Sequence, residues 1–279
     1  MSAGIASTET PTTPRRRRAW GDGPGKVLLW GPPLLVFAAV IGVWYFISLV
    51  ILGERNFQFP PPNEVFGVFG VEKTRTDIFE AFLSTAQVAV VGLAIASAIG
   101  IVWAIAMNLA RWIERSTFPY AVVLQAIPIL AIAPLITLWV KDAFWARTVV
   151  CVLIALFPMV SNTLFGLQSV DRSHRELFRL QKASRWIVLS KLEMPAATPA
   201  IFAGLRISAG LSVVGAIVGD FFFQNGVLGI GALMRKYQSR LDNAELFATV
   251  IVAVLFGVVV FLLFGLIRRI AVGKWYDAG

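Results

Sequence analysis

Few residues of this chain could carry out hydrolytic, redox or metal chemistry. The sequence has one cysteine, Cys151, and one histidine, His174, which excludes an internal disulfide and is too few for a four-ligand zinc site. A phosphate-binding loop requires G-x-x-x-x-G-K-[ST], and the nearest candidate, Gly25-Lys26, lacks both the first glycine and the hydroxyl residue. We therefore expect no catalytic residue, metal site or nucleotide cofactor on this chain. Nothing on this chain is expected to hydrolyse ATP by itself.

A second group of residues could contact a small polar solute inside apolar segments. Prolines within a helix leave carbonyl groups without their usual donors, and such groups favour a cavity over lipid. Amide and hydroxyl side chains nearby could bind a solute, or they could satisfy neighbouring helices. The candidates of both kinds are Gln125, Pro128, Pro134, Asn162 and Thr163.

Small residues recur at steps of four between Gly204 and Asp220, and include Ser208 and Ser212. This spacing lets helices approach closely in lipid, and it is also compatible with a helix that lines a pathway between two subunits. We expect Asp220 near the outer surface, where a carboxylate is solvated, and Arg206 nearer the inner surface, where it can snorkel. The stretch 224–231, with three glycines, is either a short outer gate or a turn.

The loop Asp171–Pro195 differs in chemistry from every other loop. Ser173 and Glu176 have the spacing of a capping box, which predicts a helix start. On that helix three basic residues form one stripe opposite Leu177 and Leu180: Arg175, Arg179 and Lys182. The pattern predicts a short amphipathic helix, which could bind a protein partner or lie on anionic lipid.

The elements that would position these residues are membrane helices. Hydrophobic residues make up 57% of the chain and charged residues 15%, against roughly 25% charged in soluble domains. About six segments are apolar nearly all round and long enough to cross roughly 30 Å of hydrocarbon, whereas strands would alternate. We predict an all-α membrane protein with spans near 27–52, 84–110, 119–140, 145–167, 198–223 and 246–267.

Residues 1–26 are rich in Ser, Thr, Pro and Gly and carry the run Arg15–Arg18, which predicts a disordered basic tail before a transmembrane domain at 27–279. Lysine and arginine are more frequent in the loops that share a side with this tail, so both termini are expected in the cytoplasm. The same bias explains the net charge of +9 without nucleic acid. The loop after the first helix is acidic, and Pro60–Pro62 predict an extended conformation; it is a partner-docking segment or a connector.

The 171–195 loop resembles that of the membrane permeases of binding-protein-dependent ATP-binding-cassette importers. Their loop is written E-A-A, three residues, G, nine residues, I, one residue, L-P. The matching positions are Glu176, Lys182, Leu192, Met194 and Pro195, with Ala183 and Ser184 also similar. Leu177 and Phe178 replace the two alanines. Because lysine occupies the glycine position, a positive φ is costly there, and we expect the helix to continue through Lys182.

Further segments, including Phe59–Val65, resemble the nitrate, sulfonate and taurine branch, which also contains importers of thiamine precursors and riboflavin. The resemblance implies a permease of about six helices that pairs with a second copy, with two cytoplasmic ATPase subunits that hold ATP and Mg²⁺, and with an extracytoplasmic solute-binding protein. It also implies that the loop is a coupling helix seated on the ATPase. A small anion such as a sulfonate or nitrate is the first expectation for the solute, and a vitamin precursor the second.

Two other classes fit less well. An intramembrane serine protease needs a histidine within a span, and His174 falls in a loop. An ion-coupled carrier would ordinarily bury carboxylates or histidines at mid-membrane depth, and the predicted spans place none there. The sequence therefore favours a permease over both alternatives.

Overall fold

The computed structural model of the chain describes the backbone of residues 26–276 and the side chains of residues 31–53 and 57–273. Across this range the regular elements are all helical, which confirms the predicted all-α fold. The predicted tail, including Arg15–Arg18, lies outside the described residues apart from Lys26, where the first helix begins. In chain order the helices are α1 (Lys26–Phe46), α2 (Pro62–Gly67), α3 (Glu72–Leu109), α4 (Arg111–Ala126), α5 (Ile129–Trp139), α6 (Ala143–Gln168), α7 (Arg172–Leu180), α8 (Arg185–Val188), α9 (Met194–Phe222), α10 (Ile230–Arg240) and α11 (Asn243–Tyr276).

Five helical segments of the described chain are long and apolar enough to cross a membrane: Gly31–Ile51, Glu72–Leu109, Ala143–Gln168, Arg185–Phe222 and Asn243–Gly273. A π-helical turn, Ile47–Ile51, extends α1, and a second one, Leu189–Glu193, joins α8 to α9. These segments confirm a multi-pass membrane protein.

The predicted third span, 119–140, is not one helix. Its two parts, α4 and α5, meet at a bend of 103° and together make a broken span or a re-entrant segment. The physical cause is Pro128, which has no N–H to donate and forces the preceding residue out of the helical region. Ile127 accordingly has an extended backbone, with φ −67° and ψ 124°. By contrast, Pro134 is accommodated inside α5.

The core is built by α3, α6 and α9, with α6 packed against both of the others. Glycines allow these helices to approach closely. A Cβ at Gly215 of α9 would lie 2.8 Å from the Cα of Cys151 in α6, and a Cβ at Gly204 would lie 2.8 Å from the Cβ of Asn162. The two helices therefore approach closely at Gly204, which is on the small-residue stripe, and at Gly215, which is beside it.

One end of the bundle, which we call the α10 end, carries residues 47–71, the 140–142 turn and α10. The predicted extended conformation is present at Pro61 (φ −68°, ψ 154°). It is wrong for the rest of this loop, because short 3-10 turns at Gly53–Gln58 and Val68–Gly70 flank α2. The backbone oxygens of Phe59 and Pro60 accept hydrogen bonds from Ser48 Oγ (2.8 Å) and Trp44 Nε1 (3.0 Å) of the first span. These contacts bury Pro60 and fold the segment back onto α1.

Helix α10 packs against α3, α9 and α11, and an ion pair of 3.1 Å joins Lys236 Nζ to Asp77 Oδ2 in α3. Burial, with a smaller contribution from Asp77 and other carboxylates, raises the pKa of Tyr237 to about 12, so this phenol stays protonated at physiological pH. The opposite end of the bundle, which we call the α7 end, carries residues 169–193 and the connection between α3 and α4.

Candidate functional site

Helix α7 begins two residues earlier than the predicted capping box requires. Its N-cap is Asp171, which has an extended backbone (φ −60°, ψ 145°) and makes no side-chain cap hydrogen bond. Ser173 lies inside the first turn, where its backbone is helical, so it cannot act as the cap. The prediction of a helix here is confirmed, but the predicted Ser173–Glu176 capping box is wrong.

Helix α7 ends at Leu180, and the predicted continuation through Lys182 is also wrong. Lys182 has φ 53°, in the left-handed region. The amide of Ala183 donates to the carbonyl of Phe178 (3.0 Å), and that of Lys182 donates to the carbonyl of Arg179 (2.9 Å). These two bonds form a Schellman motif, in which the residue at the turn is usually glycine. Lysine therefore takes the conformation that the family's glycine would adopt without cost.

A second helix starts directly after this turn. Ser184 is its N-cap, and the Ser184 Oγ accepts a hydrogen bond from the amide of Ile187 at 3.4 Å. Helix α8 then continues through the π-helical turn into α9. The loop is thus a helix, a tight turn and a second helix fused to a span, with half-buried Leu192 and Met194 and exposed Pro195 at the junction.

Charged and polar contacts fix α7 to the bundle. Arg175 Nη2 donates to the carbonyl of Leu167 at the end of α6 (2.9 Å) and lies 3.4 Å from Glu193 Oε1. Asn108 of α3 donates to Glu193 Oε2 at 2.6 Å. Glu193 is 8% exposed, so its charge depends on these partners. The network links α3, α6, α7 and the start of α9 as one body.

The roles of Asn108 and Glu193 were missed at the level of sequence. The available signal was the position of Glu193 directly before the apolar segment that begins at Met194, because a carboxylate there must find a partner when the helix packs. No pattern in the sequence identifies Asn108 as that partner.

The predicted basic stripe of α7 is divided by this network. Arg175 turns toward the bundle, whereas Arg179 and Lys182 are exposed, as is Glu176. The apolar positions are exposed too: Leu177 by 51% and Leu180 by 82%. None of the residues of α7 is fully buried, so the helix presents a mixed apolar and charged surface to its surroundings.

The pathway candidates on α6 and α9 make contacts within the bundle. Ser208 Oγ donates to the carbonyl of Ala155 in α6 at 2.8 Å. Ser212 Oγ and Asn162 Nδ2 each donate to a carbonyl of their own helix, at 2.8 Å. Thr163 is fully buried and its hydroxyl has no hydrogen-bond partner among the described residues. These contacts account for packing, and a role in solute passage stays a prediction.

The candidates on the broken span have a different environment. Gln125, Pro128 and Pro134 are all exposed. They lie on both sides of the 103° bend, where the backbone is not helical. Of these three residues, Gln125 carries the polar side chain.

Arg206 lies in the middle of α9, and its guanidinium Cζ is 3.9 Å from the ring centroid of Phe261 in α11, a cation–π contact. Its Nε is buried without a hydrogen-bond partner in the described part of the chain. The side chain is thus held between α9 and α11, so the expected snorkelling to the membrane surface is not seen.

The expectation that Asp220 is solvated near the surface is wrong. Asp220 is 0% exposed and Arg147 is 4% exposed, and Arg147 Nη1 lies 3.1 Å from Asp220 Oδ1. Arg147 lies near the start of α6. Thr85 Oγ1 of α3 donates to Asp220 Oδ2 at 2.6 Å. The carboxylate is buried because three helices converge on it and supply its partners.

Arg147 of this buried pair and Thr85 also hold the stretch 224–231 in place. Arg147 Nη1 donates to the carbonyl of Val227 (3.3 Å), and the amide of Ile230 donates to Thr85 Oγ1 (2.8 Å). The stretch contains a turn at Gly226, with φ 86°. It is therefore a turn fastened to the core at the α10 end, and a gating role stays a prediction.

Comparison with known proteins agrees with this arrangement. Residues 96–274 match the family model described as "Binding-protein-dependent transport system inner membrane component". The chain is similar to the formylaminopyrimidine transport permease protein ThiX of Halalkalibacterium halodurans, with 30% identity covering 82% of this chain and 90% of the relative. It is also similar to the riboflavin transport system permease protein RibX of Chloroflexus aurantiacus, with 30% identity covering 84% and 86%. The nitrate import permease protein NrtB of a Synechocystis strain is 27% identical over 90% of this chain and 92% of its own.

Proposed function

The chain belongs to the family of binding-protein-dependent transport system inner membrane components, and from this premise we propose that it is the permease subunit of an ATP-driven importer. In this proposal the chain forms the solute pathway, and a separate ATP-binding-cassette ATPase, which holds ATP and Mg²⁺, supplies the energy. The protein lies in the cell membrane with the α7 end and both termini in the cytoplasm, as the distribution of lysine and arginine favours.

The observation that carries the proposal is the rigid attachment of an exposed helix to the bundle. Helix α7 offers Leu177 and Leu180 to a partner, while Arg175 ties it to Glu193 at the start of α9. A helix fastened in this way moves with the spans, so a push on it is transmitted to them. A helix resting loosely on lipid would have no need of an ion pair to a buried carboxylate. We assign the coupling contact to the residues Arg175, Glu176, Arg179, Lys182, Ala183, Ser184, Leu192, Met194 and Pro195.

A second copy of the chain is the proposed partner within the membrane. Helix α4 has 16 residues and rises about 24 Å. In the proposed arrangement it starts at the membrane surface, so that the break at Ile127–Pro128 lies within the membrane. Non-helical backbone at that depth is tolerated only against protein or a water-filled cavity. The exposed Gln125 beside the break is also unsuited to lipid. We therefore place this face toward a pathway shared by two copies.

The remaining partners follow from the family. An extracytoplasmic solute-binding protein would deliver the solute to the α10 end, and the outer apolar surface would contact lipid. For the solute, we propose a small anion such as a sulfonate, nitrate or taurine. A vitamin precursor, such as a hydroxymethylpyrimidine or riboflavin, is the second candidate, and the two relatives at 30% identity favour it.

Reconstitution tests the proposed energy source. Vesicles are prepared with the permease alone and with the permease, ATPase and solute-binding protein together. We expect ATP-dependent accumulation of solute only in the complete system, and none when the phosphate-loop lysine of the ATPase is replaced. Accumulation driven by a proton or sodium gradient in vesicles that contain the permease alone would support an ion-coupled carrier and contradict the proposal.

Calorimetry on the solute-binding protein identifies the solute class. Nitrate, an alkanesulfonate, taurine, formylaminopyrimidine and riboflavin are titrated in turn. Micromolar affinity for an anion supports the first candidate, and the same affinity for a pyrimidine or flavin supports the second.

The charge of α7 can be tested in the same vesicles. Arg179→Glu places a carboxylate on the exposed face and should reduce uptake per ATP hydrolysed by about tenfold or more, because like charges across an interface cost several kcal/mol. Membrane insertion should be unchanged. Arg179→Lys keeps the charge and should retain most uptake. Equal uptake by the unmodified chain and both variants would show that the charge of Arg179 takes no part in the coupling contact.

A further inference from the structure

An arginine-lined cavity of about 710 Å³ opens at the α7 end between the α3–α4 connection, α7 and α8. Four arginines line it, together with one acidic residue, Glu193. The arginines are Arg111, Arg175, Arg179 and Arg185. They come from separate parts of the chain, and the fold brings them around one space.

The positive charge of the cavity is largely uncompensated. Glu193 is already engaged by Arg175 and Asn108. Within the described residues, the other three arginines have no acidic partner within salt-bridge distance. Arg185 spends one donor on the carbonyl of Leu109, at 3.0 Å, and the exposed Arg111 makes no side-chain hydrogen bond there. Several guanidinium donors are therefore available to an anion.

One tryptophan that lines the cavity, Trp112, and a second that is adjacent in sequence to the lining residue Arg185 indicate where the anion comes from. Trp112 follows Arg111 and is 71% exposed, and Trp186 follows Arg185 and is 67% exposed. Exposed tryptophan rings are typical of the membrane–water interface, where they lie at headgroup depth. The cavity also lies beside the point where the apolar span α3 ends, at Leu109.

We propose that this cavity binds the phosphate headgroup of an anionic phospholipid from the leaflet at the α7 end. Guanidinium groups bind phosphate oxygens through paired, charge-assisted hydrogen bonds. The tryptophans favour a membrane-borne phosphate over one in solution, because a lipid can contact the rings with its glycerol and upper chain region. A bound headgroup would bridge the start of α4 to α8, close to the Arg175–Glu193 contact. The proposal does not depend on the transported solute. It requires that the headgroup stays bound beside the ATPase, because Arg175 and Arg179 line the cavity and also belong to the proposed coupling contact.

Native mass spectrometry of the purified full chain tests the site, with phosphatidylglycerol and phosphatidylcholine as the lipid probes. We expect the chain to retain phosphatidylglycerol in preference. The variant Arg111→Gln/Arg185→Gln should bind it about tenfold or more weakly, since two charge-assisted contacts are lost. Glutamine at 185 keeps a donor for the carbonyl of Leu109. The control variant Arg268→Gln/Arg269→Gln removes two exposed arginines of α11 that also lie at the α7 end of the bundle. It should bind phosphatidylglycerol like the unmodified chain.

Four outcomes would overturn the proposal. Equal retention of both lipids, or equal loss in the two double variants, would exclude a specific site. Displacement of the lipid by millimolar inorganic phosphate would assign the cavity to a soluble anion. Release of the lipid when the ATPase subunit is added would assign it to the protein interface. If the first double variant does not fold, the single variant Arg111→Gln is tested in its place. Its folding should be unaffected, because the side chain of Arg111 makes no hydrogen bond with the described residues.

Discussion

The Arg147–Asp220 pair is a fully buried ion pair that ties α6 to α9 at the α10 end. Removing one member of such a pair leaves an uncompensated charge, whereas replacing both by apolar residues is often close to neutral. We expect Asp220→Ala to lower the free energy of unfolding by about 3–5 kcal/mol. The double change Arg147→Met/Asp220→Leu should cost much less.

Unfolding in mixed detergent micelles measures these changes. Asp77→Ala breaks the pair with Lys236, which is partly exposed, and serves as the control, with an expected loss of at most about 1 kcal/mol. If the double variant were as unstable as Asp220→Ala, the cost would come from lost packing and not from the unpaired arginine.

Lys182 adopts a positive φ, a conformation that is unfavourable for every residue with a Cβ. Lys182→Gly is expected to stabilise the turn by up to about 1 kcal/mol. Gln181→Gly, at φ −75°, should loosen it, since glycine gains nothing from that conformation. Hydrogen exchange of the amides of residues 182 and 183 measures both effects, and slower exchange in Gln181→Gly than in Lys182→Gly would contradict this account.

At the residue scale, the sequence identified which loop is chemically distinctive but not which side chains meet. Asp220 and Arg147 are 73 positions apart, and only the packing of α3, α6 and α9 brings them together. The turn at Lys182 was mispredicted because residue preference opposed it, while two backbone hydrogen bonds and the start of α8 at Ser184 impose it. Side-chain pairing and local strain both depend on tertiary contacts that no local pattern encodes.

The close contact of α6 with α9 sets the geometry of the bundle. A Cβ at Gly215 would lie 2.8 Å from the Cα of Cys151, whereas at Gly210 of the same helix the nearest atom would be 4.0 Å away. Gly215→Ala should therefore destabilise the protein by about 1–3 kcal/mol through overpacking. Gly210→Ala should be neutral or stabilising by up to about 1 kcal/mol through helix propensity.

The same unfolding measurement compares the two alanine variants. Both add one methyl group to one helix, so any difference reflects the contact with α6. Equal stability of the two variants would show that α6 and α9 are farther apart than described.

At the scale of elements, apolar length predicted the spans well, because a helix that is hydrophobic all round has few alternatives to a membrane. It failed for the third span, where length and composition are those of one helix. The break at Ile127–Pro128 occurs where Pro128 has no N–H to donate, although Pro134 in the same segment also lacks an N–H and causes no break. A proline signals a possible break, and the packing around it determines whether the break occurs.

At the scale of the whole molecule, the family indicated by the spacing from Glu176 to Pro195 is confirmed by the match of residues 96–274 and by the permease relatives. The spacing was informative because it reflects a helix, a turn and a second helix of fixed length, even where the letters differ. The solute is not determined by these features, since relatives of similar identity are named for nitrate, riboflavin and a pyrimidine.

Site-directed cross-linking at Leu180 tests most directly whether α7 receives work from a cytoplasmic ATPase. Leu180 is 82% exposed and the native Cys151 is fully buried, so Leu180→Cys introduces one accessible thiol. A membrane-impermeant thiol-to-amine reagent should join it to the ATPase only in inside-out vesicles, and should abolish the ATP-driven movement of solute out of their lumen. Val227→Cys, 66% exposed at the α10 end, should react only in right-side-out vesicles. Reaction of Leu180→Cys only in right-side-out vesicles, or its failure to reach the ATPase in inside-out vesicles that release solute when ATP is added, would contradict the account.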